Sequence, residues 1–235
     1  MVFHDKKALL ANSDLLGSLD DDMLDKLLSM IVTRKLDKNE TLFVKGDPGD
    51  SFFGVQQGNI KIVTTSPNGK EVTLNIIEEG QFFGEIAMLD GLDRTADAIA
   101  MSKTELLVIQ RRDFIPFLEK HPKLCIQVMQ LLCHRVRLTS EMVEDAAFLP
   151  LDGRLAKRLL NLADLYGEDQ PGGGVLIGLN LPQQELARMM GTSRESVNKQ
   201  LQVWRNNGWI ELARGKVTIK DHDALQGVLD DAELE

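Results

Sequence analysis

Two short stretches hold the side chains with chemistry to offer. The first runs Phe82-Phe83-Gly84-Glu85-Ile86-Ala87-Met88-Leu89 and continues after a loop as Asp93-Arg94-Thr95-Ala96. An apolar strand, a glycine, an acid, an apolar turn and then an arginine suit a sugar phosphate. Gly84 lets backbone N–H groups approach an anion, and a helical turn starting there adds its positive end. Arg94 offers a phosphate a planar bidentate fork, Thr95 offers a hydroxyl, and Glu85 can accept from a ribose hydroxyl. Gly84, Glu85, Ile86, Ala87, Arg94 and Thr95 are therefore the candidate ligand residues. By composition alone a second reading stands beside this one, in which Glu85 and Arg94 simply pair across a turn.

The second stretch is Gln183 to Leu201. Pro182 opens a helix that ends at Gly191, and another starts at Thr192 or Ser193. Ala187, Gly191 and Val197 have the small–glycine–apolar spacing that lets two helices cross closely in a helix-turn-helix. In the second helix Val197, Leu201 and Trp204 share an inward face. Arg194, Glu195, Asn198 and Lys199 share the opposite one, as a recognition helix presents them to a major groove. Glu195 has two alternatives: a capping box with Thr192, or a pair with Lys199 one turn on. Arg188, and Arg214 in an Arg214-Gly215-Lys216 wing, suit phosphate contacts, which position without specifying. Thr192, Ser193, Arg188, Arg194, Glu195, Asn198, Lys199 and Arg214 are the candidate DNA-binding residues. No nucleophile–base constellation is present, so no residue is assigned a catalytic or metal role.

The net charge of −9 argues against a nucleic-acid partner if it is taken whole. Its distribution argues otherwise. Residues 1–150 carry 17 basic and 23 acidic side chains, residues 182–220 carry seven and three, and the tail 221–235 carries six acids and no base. The positive charge is concentrated where the helix-turn-helix lies.

Positioning elements follow from periodicity. The first 20 to 30 residues place leucines at helical spacing (Leu15, Leu16, Leu19, Leu24, Leu27, Leu28). From Ile31 to Ile109 short apolar runs alternate with glycine turns about every ten residues, the texture of a small antiparallel barrel or roll. Ile60–Thr64 and Glu71–Ile77 flank an Asn-Gly turn and predict a hairpin. Pro122 starts a long helix that reaches Leu149, and Pro150 to Gly153 mark a boundary. Three segments result: a sensor domain over 1–121, a helix over 122–149 and a DNA-binding domain over 150–235. With 235 residues, two packed domains are the expectation. The fold class is α+β: a small antiparallel barrel or roll, a long dimerisation helix and a winged helix-turn-helix.

On the long helix Cys125, Met129, Leu132, Val136, Thr139, Val143 and Ala146 step by 4 and 3, the spacing of a coiled-coil seam. Leu124, Val128, Leu131, Leu138 and Met142 form a second stripe. One stripe buries against the roll and the other meets a partner helix, which predicts a homodimer. A single helix buried on both sides within one chain is the alternative, but few helical segments remain to cover both. Two cysteines cannot build a disulfide framework or a cysteine-ligated cluster, and read as free thiols in a reducing compartment. No apolar run reaches 18 residues and Met1 to Leu10 has no signal-peptide core, so a cytoplasmic location without a membrane partner is expected.

Phe-Gly-Glu-Ile-Ala-Met-Leu followed by Arg-Thr-Ala resembles the phosphate-binding cassette of cyclic-nucleotide-binding domains. Gly46-Asp47-Pro48-Gly49-Asp50 and Gly58 resemble the turn glycines of the same β-roll. From about residue 40 to residue 220 the chain is similar to the cAMP receptor protein/fumarate-nitrate regulator (Crp/Fnr) family, including Arg137-Leu138-Thr139-Ser140-Glu141, Ala147-Phe148-Leu149 and Gly153-Arg154-Leu155-Ala156. The resemblance implies a transcriptional regulator with cAMP as effector (cGMP being the alternative nucleotide) and no metal. It implies a homodimer through helix 122–149, double-stranded DNA with near-palindromic half-sites, and RNA polymerase as a partner. It also implies that Thr139 and Ser140 contact adenine, Ser140 reaching the partner subunit's ligand. Thr139 is also the polar residue of the predicted seam, where a lone hydroxyl weakens a coiled coil unless a ligand satisfies it.

The chain departs from the family pattern at three places. The Glu85–Arg94 loop is one residue shorter than in the best-known bacterial member, Lys199 stands where that member has an arginine, and Asn198 replaces a glycine. Lysine cannot form the bidentate fork, which weakens or alters preference at that base step. Two other readings fit less well. A relative sensing a different effector, or none, conflicts with the intact Glu85, Arg94, Thr95, Thr139 and Ser140 set. An iron–sulfur sensor needs more cysteines, and none of His4, His121, His134 and His222 is an obvious haem ligand. An enzyme with a nucleotide-regulated module leaves too little chain for a catalytic domain.

Overall fold

The computed structural model describes residues 6–234, so His4 lies outside the described residues. The chain divides into two compact units. The first takes residues up to 64 and 73–138; the second takes 65–72 and those from 139 on.

The first unit begins with α1 (Lys6–Ala11) and α2 (Asp21–Met30), the latter capped by Asp20, whose side chain accepts from the Met23 N–H. Strands β1 (Ile31–Leu36), β2 (Thr41–Phe43), β3 (Ser51–Gln57), β4 (Ile60–Thr65), β5 (Glu71–Ile77) and β6 (Phe82–Phe83) follow. Then come α3 (Glu85–Asp90), β7 (Asp97–Ala100), β8 (Thr104–Gln110), α4 (Arg111–Glu119) and α5 (Pro122–Phe148). The strands form two four-stranded sheets, β1-β8-β3-β6 and β2-β7-β4-β5, and the predicted hairpin is β4–β5.

The strands of the first sheet are apolar at both parities for a reason. Phe53, Phe83, Leu106 and Val108 point into the roll, packed with Val55, Ile60 and Ile77. Their neighbours Phe52, Phe82, Leu107 and Ile109 point the other way, into a core with Leu9, Leu16, Leu27, Phe114 and Leu124 from the helices. A strand covered on both faces needs apolar side chains on both. β6 thus ends in two phenylalanines that anchor opposite layers, and this holds the start of the cassette.

The long helix differs from the predicted seam. Leu124 and Val128 are buried, and Cys125 and Leu131 pack against the same core, with the Cys125 thiol 3.3 Å from the Leu118 carbonyl oxygen. Leu132 is half-buried as well, while Met129, Val136, Thr139, Val143 and Ala146 of the expected seam are exposed. Ile126, Cys133, Ser140 and Ala147, one residue on from its alternate members, are exposed beside them. The first half of the helix therefore turns Ile126 and Cys133 outward in place of Cys125 and Leu132, and beyond Val136 both phases are exposed.

The second unit holds α6 (Leu151–Tyr166), β9 (Gly167–Asp169), β10 (Val175–Ile177), α7 (Gln183–Met190), α8 (Arg194–Asn206), β11 (Ile210–Ala213), β12 (Lys216–Ile219) and α9 (His222–Leu234). Its sheet runs β11-β12-β10-β9. β9 directly precedes the Gly- and Pro-rich stretch Gln170-Pro171-Gly172-Gly173-Gly174; all three of its residues are exposed, so no apolar alternation announced it. The acidic tail is also not a loose extension. It forms α9, with Leu225, Leu229 and Ala232 buried, and a Cβ built on Gly153 of α6 would lie 2.6 Å from the Ala232 Cβ.

Candidate functional site

The cassette starts where β6 ends. Gly84 adopts a left-handed backbone (φ 84°) before α3, and a Cβ there would lie 2.8 Å from Arg94 Nη1. Both the backbone region and the close approach require glycine. Arg94 is only 5% exposed. Its Nη2 donates to the Ser51 carbonyl oxygen (2.7 Å) and its Nη1 to that of Gly84 (3.1 Å). The guanidinium carbon lies 4.3 Å from the Phe43 ring centroid and 5.3 Å from that of Phe53. Its Nε is buried with no hydrogen-bond partner. Burial pushes the Arg94 pKa below its ordinary value, while Asp50, Glu85 and Asp47 act to raise it. An arginine stays charged, so this is a buried cation fixed by carbonyls and rings with no bonded carboxylate among the described residues. A dianion or monoanion of phosphate type would supply what the site lacks.

Glu85, 4% exposed, settles the reading left open above. It does not bond Arg94. Its Oε1 accepts from Arg135 Nε of α5 at 3.2 Å, and Arg135 Nη2 donates to the Phe82 carbonyl oxygen at 2.9 Å. Sequence reasoning missed Arg135, although a signal existed. The second stripe of α5 passes through residues 124, 128, 131, 138 and 142, and 135 is the position it skips. A cation in the roll-facing stripe of a helix needs a buried acceptor, and Glu85 is that acceptor.

The remaining cassette residues have distinct surroundings. Ala87 is buried with its Cβ over Gly49, where a second Cβ would come within 2.1 Å. Ile86 is 40% exposed and Thr95 is exposed. Arg111, at the start of α4, donates from Nε to the Met88 carbonyl oxygen (2.7 Å) and so ties down the far end of α3. Thr139 and Ser140 are exposed on α5, the first turn of that helix to group with the second unit. Gly84, Glu85, Arg94 and the unforeseen Arg135 are therefore brought together within the first unit.

In the second unit α7 ends at Gly191, left-handed at φ 61°, and its N–H reaches the Ala187 and Arg188 carbonyl oxygens. The cap of α8 is Ser193, not Thr192: Ser193 Oγ accepts from the Ser196 N–H at 3.1 Å. Val197, Leu201 and Trp204 are buried, while Arg194, Glu195 and Lys199 are exposed. Hydrogen bonds from its own backbone N–H and from Ser193 hold the Glu195 carboxyl below its usual range, with Arg194 adding to the effect. Asn198 is half-buried, because Gln183 and Gln202 reach its Oδ1. Arg188 lies between two carboxylates, Glu185 and Glu71, the latter 2.5 Å from Nε in an ionic contact without hydrogen-bond geometry. Arg214 and Gly215 form the two-residue turn of the β11–β12 wing, both with positive φ (49° and 78°). A cavity of about 510 Å³ lies between wing and helices, with Arg194, Arg214 and Lys216 over a floor that includes Leu186 and Leu201.

Comparison with known proteins matches two domains in the chain. The cyclic nucleotide-binding domain matches residues 33–121 and the Crp-like helix-turn-helix domain matches residues 153–228. A CRP-like cAMP-activated global transcriptional regulator of Mycobacterium tuberculosis is 30% identical over 217 residues, spanning 92% of this chain and 96% of its own length. The chain belongs to the Crp/Fnr family of transcription factors.

The fold of this regulator agrees. The Thermus thermophilus catabolite activator protein is 29% identical with a TM-score of 0.53, covering 94% of this chain and all of its own. The c-di-GMP-responsive regulator CLP of Xanthomonas campestris superposes with a TM-score of 0.76 at 21% identity, over 85% of this chain and 99% of its own, a likeness of fold. The regulator is thus of the Crp-like cyclic nucleotide-binding type, with a DNA-binding helix-turn-helix domain, in a family whose members regulate transcription. Among the described residues no helix is long and apolar enough to cross a membrane, and no cluster of His, Cys, Asp or Glu has the arrangement of a metal site.

Proposed function

We propose that the protein is a cAMP-responsive regulator that binds near-palindromic promoter DNA as a homodimer. The observation that carries the effector reading is Arg94, a buried cation with an orphaned Nε. A cyclic phosphate supplies the missing anion, held by Arg94 and by backbone N–H groups at Gly84 to Ala87. Glu85 accepts from the ribose, and Arg135, already 3.2 Å from it, adds a second cation to the same wall. Thr95 lends a hydroxyl, and Thr139 and Ser140 take the adenine, Ser140 from across the dimer.

The exposed apolar stripe of α5 supports the dimer reading. Ile126, Met129, Val136 and Val143 are each more than half exposed, and they recur at 3-and-4 spacing that a second copy would cover. Arg194, Glu195, Asn198 and Lys199 read bases, while Thr192, Ser193, Arg188 and Arg214 contact the backbone. Arg188 does so only after leaving Glu71. Ligand at α5 biases a two-state arrangement of the DNA-binding domains, which sets the half-site spacing. A cytoplasmic location and contact with RNA polymerase complete the reading.

Calorimetric titration with cAMP and with cGMP, in the wild type and in Arg94→Leu, tests it. Wild-type binding of cAMP is expected, and the variant loses about 2–5 kcal/mol, the cost of an unpaired buried phosphate charge. Absence of cAMP binding, or unchanged affinity in the variant, removes the pocket assignment.

A further inference from the structure

Four side chains at the start of α8 point away from its core, and three of them, Arg194, Glu195 and Lys199, are exposed. The fourth, Asn198, is not. Its Oδ1 accepts from Gln183 Nε2, at the first position of α7, at 2.8 Å. It also accepts from Gln202 Nε2, one turn further along α8, at 3.3 Å. A carbonyl oxygen has two lone pairs, so both are in use. The Nδ2 group, with two N–H bonds, has no partner among the described residues.

The direction of this amide triad agrees with the charge around it. Gln183 lines the cavity that also holds Arg194, Arg214 and Lys216. There its Oε1 is the end favoured beside cations and its Nε2 the end disfavoured. Gln183 Nε2 therefore turns to Asn198, which must answer with Oδ1. Asn198 is left with hydrogen-bond donors facing outward.

We propose that Asn198 is a donor-only base reader, and that Gln183 and Gln202 are the residues that position it. This rests on the reading of α8 as the DNA-contacting helix. A free asparagine can pair bidentately with adenine, accepting from N6 and donating to N7. Asn198 lacks the accepting half. It can donate to guanine O6 or N7, thymine O4 or adenine N7, and it disfavours cytosine, whose major-groove edge there is the N4 donor. Asn198 thus reads an acceptor edge at one step of each half-site, and Gln183, outside α8, controls how.

Site selection from randomised duplexes, with full-length protein and cAMP, tests this in three proteins. Wild type is expected to exclude cytosine at one position per half-site by roughly ten-fold or more. Asn198→Asp has the same shape, still accepts from both glutamines and loses the donors. Cytosine is therefore expected to become the preferred base at that position while the rest of the motif is retained. Gln183→Leu frees one lone pair of Oδ1, and adenine is expected to gain weight at the same step. A motif unchanged by Asn198→Asp at every position overturns the proposal while leaving the regulator reading intact, as does a wild-type motif with cytosine at the affected step. Failure of the wild type to enrich any duplex overturns the regulator reading and this inference with it.

Discussion

Arg135 Nε lies 3.2 Å from Glu85 Oε1, joining the long helix to an acid that is 4% exposed. Removing one partner of such a pair leaves a buried charge uncompensated. Arg135→Ala is therefore expected to destabilise the protein by about 3 kcal/mol, more than a surface ion pair contributes. Urea unfolding measures it, and a loss near zero would mean that water compensates Glu85. The double variant with Glu85→Gln should recover part of the loss, because the neutral amide needs no counter-charge.

Glu195 makes the start of α8 pH-dependent. Its folded-state pKa is depressed, first by its own backbone N–H and then by Ser193. A depressed acid contributes stability that is present above its unfolded value and lost as pH falls through the folded one. The thermal midpoint of the wild type should therefore fall more steeply between roughly pH 5 and pH 3 than that of Glu195→Gln. Ser193→Ala removes the cap itself and is expected to cost about 1 kcal/mol at neutral pH, where Thr192→Ala costs less.

Gly153 and Ala232 bring α6 and α9 into close packing. Gly153→Ala places a Cβ 2.6 Å from the Ala232 Cβ, so the helices must separate. A destabilisation of about 1–3 kcal/mol follows from overpacking. Deletion of 221–235 is expected to lower stability for the related reason that it uncovers the core beneath Leu225 and Leu229. Thermal unfolding of both variants checks this, and a truncated protein as stable as the full chain would show that α9 is dispensable.

Cys133 tests the proposed dimer and its register. It is exposed on the stripe of Met129 and Val136, whereas Cys125 is half-buried beside the Leu118 carbonyl oxygen. Mild oxidation should yield covalent dimers through Cys133 that Cys133→Ser abolishes and Cys125→Ser leaves. Cross-linking that depends on Cys125 instead would select the seam through Cys125, Leu132 and Thr139.

Much of the site was legible in the residues. Gly84 and Gly191 mark left-handed backbone at two helix boundaries, and few other residues tolerate that region, so their positions announce the cassette and the helix-turn-helix. The wing was legible in Arg214-Gly215 for the same reason. Arg135 was not, because its meaning depends on Glu85, fifty residues away. Nor was α9, whose acidic sequence records the solvent face and hides the three positions that pack on α6. The phase of the α5 stripe was half legible: periodicity identified Met129, Val136 and Val143, which belong to both phases.

Local chemistry is encoded locally, since backbone strain, capping and the 2-versus-3.6 alternation of apolar residues act within a few positions. The sequence by itself therefore determined a β-roll, a long helix, a winged helix-turn-helix and the two cassettes they carry. Which charges meet was decided by tertiary structure alone. Glu85 could bond Arg94 or Arg135, and Asn198 could turn either end of its amide to Gln183 and Gln202. Burial decides such choices, because removing water makes an unpaired polar group costly and leaves few arrangements that satisfy every partner at once.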